Sequence, residues 1–200
     1  MEAQSTKEES WDDCMKWALT ELWQTSILAD VTVQTSTKAF KAHKIVLASH
    51  SDWFSTYFQT RQDNLVMLDD SSTFDTDAVE RVLEYMYNGN YNAVDGSPVQ
   101  SAIIHARVCI TAEEFHMTSL QNIAFQRFRD TVRACYLHAD FPVIISTVYG
   151  IRRCGMWSIR REVVETCARN FDDLCRNRGF SNVWIDCPGF AADLCRQFIE

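Results

Sequence analysis

Trp11, Met15, Ala18, Leu19 and Leu22 recur at i, i+4, i+7, i+8 and i+11, the spacing of one helical face, so residues 10–25 (SWDDCMKWALTELWQT) predict an amphipathic helix. Ser10 and Asp13 have capping-box spacing at its start, where Asp12 and Asp13 also suit the helix dipole. The stripe packs either on the chain's own core or on another chain. An N-terminal helix this rich in Trp is costly to leave half wet. Residues 30–35 (DVTVQT) alternate β-branched and polar side chains, the mark of a half-buried strand. After a polar turn at Ser36 and Thr37, residues 38–41 (KAFK) predict a second strand and complete a hairpin.

Between residues 43 and 58 (HKIVLASHSDWFSTYF) the apolar spacing turns helical and predicts two short helices that break near Ser49 to Ser51. LVML, residues 65–68, reads as a strand ended by Asp69 and Asp70. Over residues 73–89, Val79, Val82, Leu83, Met86 and Tyr87 keep the helical pattern, and Gly89 suits the C-cap. Residues 90–98 form a loop in which Ser97 is the N-cap and Pro98 the first position of the next helix. Helices are expected over 98–115 and 118–134, with a turn at 116–118, and then over 141–150, 158–176 and 188–199. Strands gather in the first 70 residues and helices in the remainder, which predicts an α+β architecture.

A chain of 200 residues buries roughly 70% of its unfolded surface and makes one or at most two domains. Its net charge of −8 speaks against a general nucleic-acid binder. The charge is uneven. Residues 1–100 hold 7 Lys+Arg against 16 Asp+Glu, whereas residues 101–200 hold 12 against 11, every basic one an Arg. No apolar run approaches roughly 18 residues and the N-terminus has no apolar signal region, so a soluble intracellular chain of nucleus or cytoplasm is expected.

Eight cysteines (14, 109, 135, 154, 167, 175, 187 and 195) contain no C-x-x-C, so no local zinc or thioredoxin-like signature is present. They are expected to be free and mostly buried, acting as small hydrophobes. A metal site assembled across the fold is the alternative.

The order helix, hairpin, paired helices, strand, helix and helical pair resembles the BTB/POZ family. The resemblance rests on Asp30-Val31-Thr32-Val33 and on Phe40-x-Ala42-His43-Lys44-x-Val46-Leu47-Ala48-x-x-Ser51-x-x-Phe54. It rests further on Val66-x-Leu68-x-Asp70 and on Leu83-x-Tyr85-x-Tyr87-x-Gly89-x-Tyr91. It spans about residues 10–134, after a polar tail at 1–9 and before a helical extension at 135–200, as in the compact BTB proteins common in fungi. The fold it implies is a small β-sheet flanked by a helical cluster, followed by an all-helical C-terminal region. It also implies a homodimer whose interface uses the N-terminal helix (Trp11, Met15, Ala18, Leu19, Leu22), with Asp30 and Lys44 lining a charged pocket beneath it. Read from the residues alone, Lys44 and Asp30 make a structural salt bridge or hydrogen-bonded pair.

Many family members act as cullin ubiquitin-ligase adaptors through the segment equivalent to 53–64, often with a hydrophobic-x-Glu motif. Here Tyr57, Phe58, Gln59 and Arg61 are the candidate residues, but the segment contains no Glu.

Enzyme motifs are missing: there is no G-x-S-x-G, G-x-x-x-x-G-K-[ST], G-x-G-x-x-G or H-E-x-x-H. His50, Ser51 and Asp52 are adjacent, whereas a triad is assembled from separated segments; Ser51 is better read as a cap. His105 and His116 are expected to be satisfied structural histidines. Arginines cluster at 152–161 (RRCGMWSIRR) with Met156, Trp157 and Ile159 between them, a pattern that can bind nucleic acid or an acidic protein but reads more simply as a helix terminus and its solvated face, with Ser158 capping the next helix. The expectation is a non-enzymatic interaction domain that needs no cofactor, with itself or another protein as partner.

Overall fold

The computed structural model describes residues 10–68, 74–93, 96–151 and 157–199. The first helix, α1 (Trp11–Thr25), opens on Ser10, whose hydroxyl accepts the Asp13 N–H and donates to the Asp13 carboxylate. Strands β1 (Val31–Gln34) and β2 (Ala39–Ala42) form the antiparallel hairpin, with Val31 opposite Ala42 and Val33 opposite Phe40. Helices α2 (Lys44–His50) and α3 (Asp52–Thr60) follow, and β3 (Leu65–Met67) returns parallel to β1, giving the sheet order β2-β1-β3. Val31, Val33 and Val66 point inward, as the alternation requires.

Helix α4 (Thr76–Asn88) is capped by Asp75 and closed by Gly89, whose left-handed φ of 67° lets its N–H reach the Tyr85 carbonyl. Ser97 and Pro98 start α5 (Pro98–Glu114), and α6 (Thr118–Cys135) folds back along it. Helix α5 is buried on nearly every face. Ala102, Ile103, Ala106, Val108, Ile110 and Ala112 are all inside, because α4, α6 and a later helix surround it.

The region after α6 continues the same core. Helix α7 (Phe141–Gly150) packs on α5, and α8 (Trp157–Arg169) packs on α6. Short α9 (Phe171–Leu174), α10 (Arg178–Asp186) and α11 (Pro188–Ile199) complete the chain. Phe141, Ile144, Ile145 and Val148 join the apolar cluster that also holds Val33 and Leu83.

Two expectations are corrected here. The helix over 158–176 breaks at Asn170, whose side-chain amide donates back to the Thr166 carbonyl; α10 forms in the interval between the helices expected over 158–176 and 188–199. Ser158 lies inside α8, which already begins at Trp157, so it is not the cap. Asp69, Asp70 and residues 152–156 of the arginine cluster lie outside the described residues. Among the described residues no helix is long and apolar enough to cross a membrane.

Candidate interaction surface

Helix α1 docks by its C-terminal half alone. Leu19, Leu22 and Trp23 pack against the core, with α4 as the neighbouring helix. The Trp23 ring stacks on Tyr87 at 5.2 Å and on Phe40 at 6.5 Å, while Thr20 Oγ1 donates to Asn88 Oδ1 at 2.9 Å. No residue of α1 is fully buried. Its first turns stand away from the core, leaving Trp11 77% exposed and Met15 also exposed; Ala18 is half-buried at the transition. Trp17, outside the predicted stripe, is exposed too.

A second apolar group surrounds Asp30 and Lys44. Ile27, Leu28 and Ile45 all face solvent, and Leu28, at 85% exposure, adopts a left-handed φ of 61°. A branched apolar side chain in that region carries backbone strain, so the turn must be held from elsewhere. His43 holds it. Its buried Nε2 lies 2.7 Å from the Ile27 carbonyl, which can only accept, so Nε2 carries the proton. Nδ1 then accepts from the Tyr87 hydroxyl at 2.8 Å, and that hydroxyl accepts the His43 backbone N–H at 2.9 Å. Burial pushes the Tyr87 phenol up to about 12, keeping it protonated for this role.

Asp30 and Lys44 meet, but not as an ion pair. Asp30 Oδ1 accepts the Lys44 backbone N–H at 2.8 Å, whereas Lys44 Nζ turns away to Asn64 Oδ1 at 2.6 Å and lies 5.7 Å from the Phe58 ring centre. Of the two expected forms, salt bridge or hydrogen-bonded pair, the second is present: His43, at the N-cap of α2, makes no side-chain cap bond, and the Asp30 carboxylate fills that need.

The segment at the end of α3 is tied down internally. Tyr57 stacks on Trp53, donates to the Leu65 carbonyl at 3.3 Å and lies under the Arg61 guanidinium at 5.0 Å. Phe58 is half-buried against Phe54, while Gln59 and Arg61 are exposed. Ser51 donates to the Phe115 carbonyl at 2.6 Å and accepts the Phe54 N–H at 3.2 Å, so it caps α3 and ties it to the end of α5.

His105 is a structural histidine, bonded at 2.8 Å to the Tyr91 hydroxyl and held down to about 4 by burial and by the Arg127 charge. His116 is instead an exposed turn residue in the left-handed region, φ 54°, because the α5–α6 reversal needs that conformation. Among the cysteines of the described residues, only Cys109, Cys135 and Cys167 are buried. Burial raises their thiols, Cys109 to about 12 and Cys135 to about 11, so they stay protonated and unreactive. Cys14, Cys175 and Cys195 are exposed, on faces of α1 and of the C-terminal region that the core leaves uncovered, and Cys187 is partly so. No group of three or more His, Cys, Asp or Glu among the described residues is arranged to hold a metal.

The sequence pointed to the α1 stripe, to Asp30 and to Lys44, but not to Trp23, to the His43–Tyr87–Ile27 network or to Leu28. The Ile27-Leu28 pair between Ser26 and Ala29 was the available signal: two large apolar residues where a turn would take polar ones.

A small three-stranded sheet under helical pairs leaves Trp11, Met15, Ile27, Leu28 and Ile45 exposed on its surface. A family model for the BTB/POZ domain matches residues 19–131, and the chain belongs to the BTB/POZ family, whose domains mediate protein–protein contacts. Among solved structures, the BTB domain of zebrafish PATZ1 is similar at 19% identity and a TM-score of 0.46, over 55% of this chain and 84% of that one.

Proposed function

We propose that this protein is a non-enzymatic interaction module that forms a homodimer through the projecting half of α1 and the surface around Asp30 and Lys44. The domain would span residues 10–134, with 1–9 as a tail and 135–200 as a helical extension. One observation carries the reading: Trp11 and Met15 extend an apolar face past the point where α1 leaves its own core. Leu19, Leu22 and Ala18 anchor and align that end, and a symmetric partner would meet it with its own copy. Ile27, Leu28 and Ile45 add apolar area beside Asp30 and Lys44. Burying two Trp-rich helix ends gives the kind of aromatic centre that interfaces favour.

Light scattering on a size-exclusion column in reducing buffer at micromolar concentration tests it. About twice the 23.1 kDa chain mass is expected. A mass of one chain overturns self-association. It would direct the search to a heterologous partner, a cullin among them, at the exposed Gln59 and Arg61.

A further inference from the structure

We propose that the groove between α6, α8 and α11 is a docking site for an acidic segment of a partner protein, one that carries carboxylates around an aromatic or aliphatic side chain. The groove encloses about 900 Å³. Helix α6 contributes Phe125, Arg129 and Arg133 at i, i+4 and i+8, so all three share a face. Helix α8 adds Trp157 and Arg161 with the same spacing, and α11 adds Arg196. Four guanidinium groups and three carboxylates, Glu162, Glu165 and Asp193, therefore line one groove, which leaves a surplus of positive charge on a chain whose net charge is −8.

Two observations point to what the groove takes. Among the described residues, Arg129 Nε, like Arg81 Nε and Arg160 Nε elsewhere, is shielded from solvent with no hydrogen-bond acceptor; the Asp130 carboxylate is 4.0 Å away on an exposed side chain, and Arg129 Nη2 donates to the neutral amide of Gln126. Buried N–H groups almost always have partners, and an incoming carboxylate supplies the missing one with charge to match. The second is Trp157, 78% exposed on the wall of the same groove, a large ring left in water beside the guanidinium groups. A peptide side chain of aromatic or aliphatic type covers it.

The wall also explains why a protein segment fits better than nucleic acid. Arg133 is held by Glu162 at 2.6 Å, Arg161 by Glu165 at 2.8 Å and Arg196 by Asp193 at 2.7 Å. Each guanidinium is a planar fork with five donors, so a pair made on one side leaves donors for a second carboxylate. Alternating signs suit a ligand whose charges are spaced by apolar groups. They oppose a polyphosphate chain charged at every unit.

The test uses the full chain and a fluorescein-labelled decapeptide in which Glu residues flank a central Phe-Leu pair, read by fluorescence anisotropy. Saturable binding is expected, weakening as salt rises from about 0.05 M to about 0.5 M. Arg161→Gln with Arg196→Gln, both on exposed side chains, should weaken it on the order of tenfold or more. Should that variant fail to fold, Trp157→Ala, an exposed position in the same groove, should show a like loss. The proposal is overturned by no binding, by equal binding to the folded groove variants, or by equal binding of the peptide with Gln in place of Glu. A single-stranded DNA 20-mer that binds more tightly and displaces the peptide also overturns it.

Discussion

Asp30 holds Lys44 through the backbone: its Oδ1 accepts the Lys44 N–H at 2.8 Å, while the Lys44 ammonium is bonded to Asn64. The carboxylate thus caps α2 from the start of the hairpin, and the two residues differ in what they contribute. Asp30→Ala should lose about 1 kcal/mol, as for a lost helix cap, while Asp30→Asn keeps most of the stability because the amide oxygen still accepts. Lys44→Ala removes an exposed bond and should change stability by less than about 0.5 kcal/mol. Urea denaturation of the three variants checks this ordering; a larger loss for Lys44→Ala than for Asp30→Ala would restore the ion-pair reading.

Ser51 serves two elements with one hydroxyl, donating to Phe115 and accepting from Phe54 inside the protein. Ser51→Ala leaves the Phe115 carbonyl and the Phe54 N–H unmet, so a loss of about 2 kcal/mol is expected. Ser51→Thr keeps the hydroxyl and should cost less if the added methyl group fits. Chemical denaturation of both variants decides it. An unchanged midpoint for Ser51→Ala would mean water replaces both bonds.

Three caps were legible, unlike that at Ser158, because each depends on one residue and the backbone groups next to it. Ser10 with Asp13, Ser97 with Pro98, and Gly89 all stand where the residue pattern put them. What escaped was set by packing between distant segments. Gly179 sits inside α10, where glycine argues against a helix; a Cβ there would come within 3.1 Å of Pro142 Cγ, so the close approach of α10 to α7 explains it. The α1 stripe was visible as a period, but not the place along it where the helix leaves its core, which depends on Trp23 finding Tyr87 and Phe40. The pairing of Asp30 with Lys44 was legible as well, but not that the bond would go to the Lys44 backbone N–H, which depends on His43 making no side-chain cap bond.

His105 makes stability depend on pH. Its neutral form is favoured in the fold, held down to about 4 against an ordinary 6.5, by burial first and then by Arg127. Between those values the unfolded chain binds the proton and the folded chain does not, so stability falls as pH drops. The contribution is fully present above about 6.5 and is lost progressively toward about 4. His105→Gln should flatten the fall in urea midpoint between pH 7 and pH 5 relative to the parent protein, a comparison that cancels the other titrating groups. Parallel pH profiles for the two proteins would remove His105 from the account.

The two halves of α1 separate interface from core in a single experiment. Trp11 and Met15 are exposed, so Trp11→Glu with Met15→Glu should leave stability within about 0.5 kcal/mol and lower the mass from about two chains to one. Leu19 and Leu22 lie against the core beside Trp23, so Leu19→Asp with Leu22→Asp buries charge and should destabilise the fold by more than about 2 kcal/mol. Mass by light scattering and thermal melts by circular dichroism, run on both variants, give the two readouts. If the Trp11/Met15 variant keeps the mass of two chains, the projecting end of α1 is not the self-association surface. If the Leu19/Leu22 variant melts like the parent, the docked half of the helix contributes little to the fold, and both halves would then be free to serve a partner.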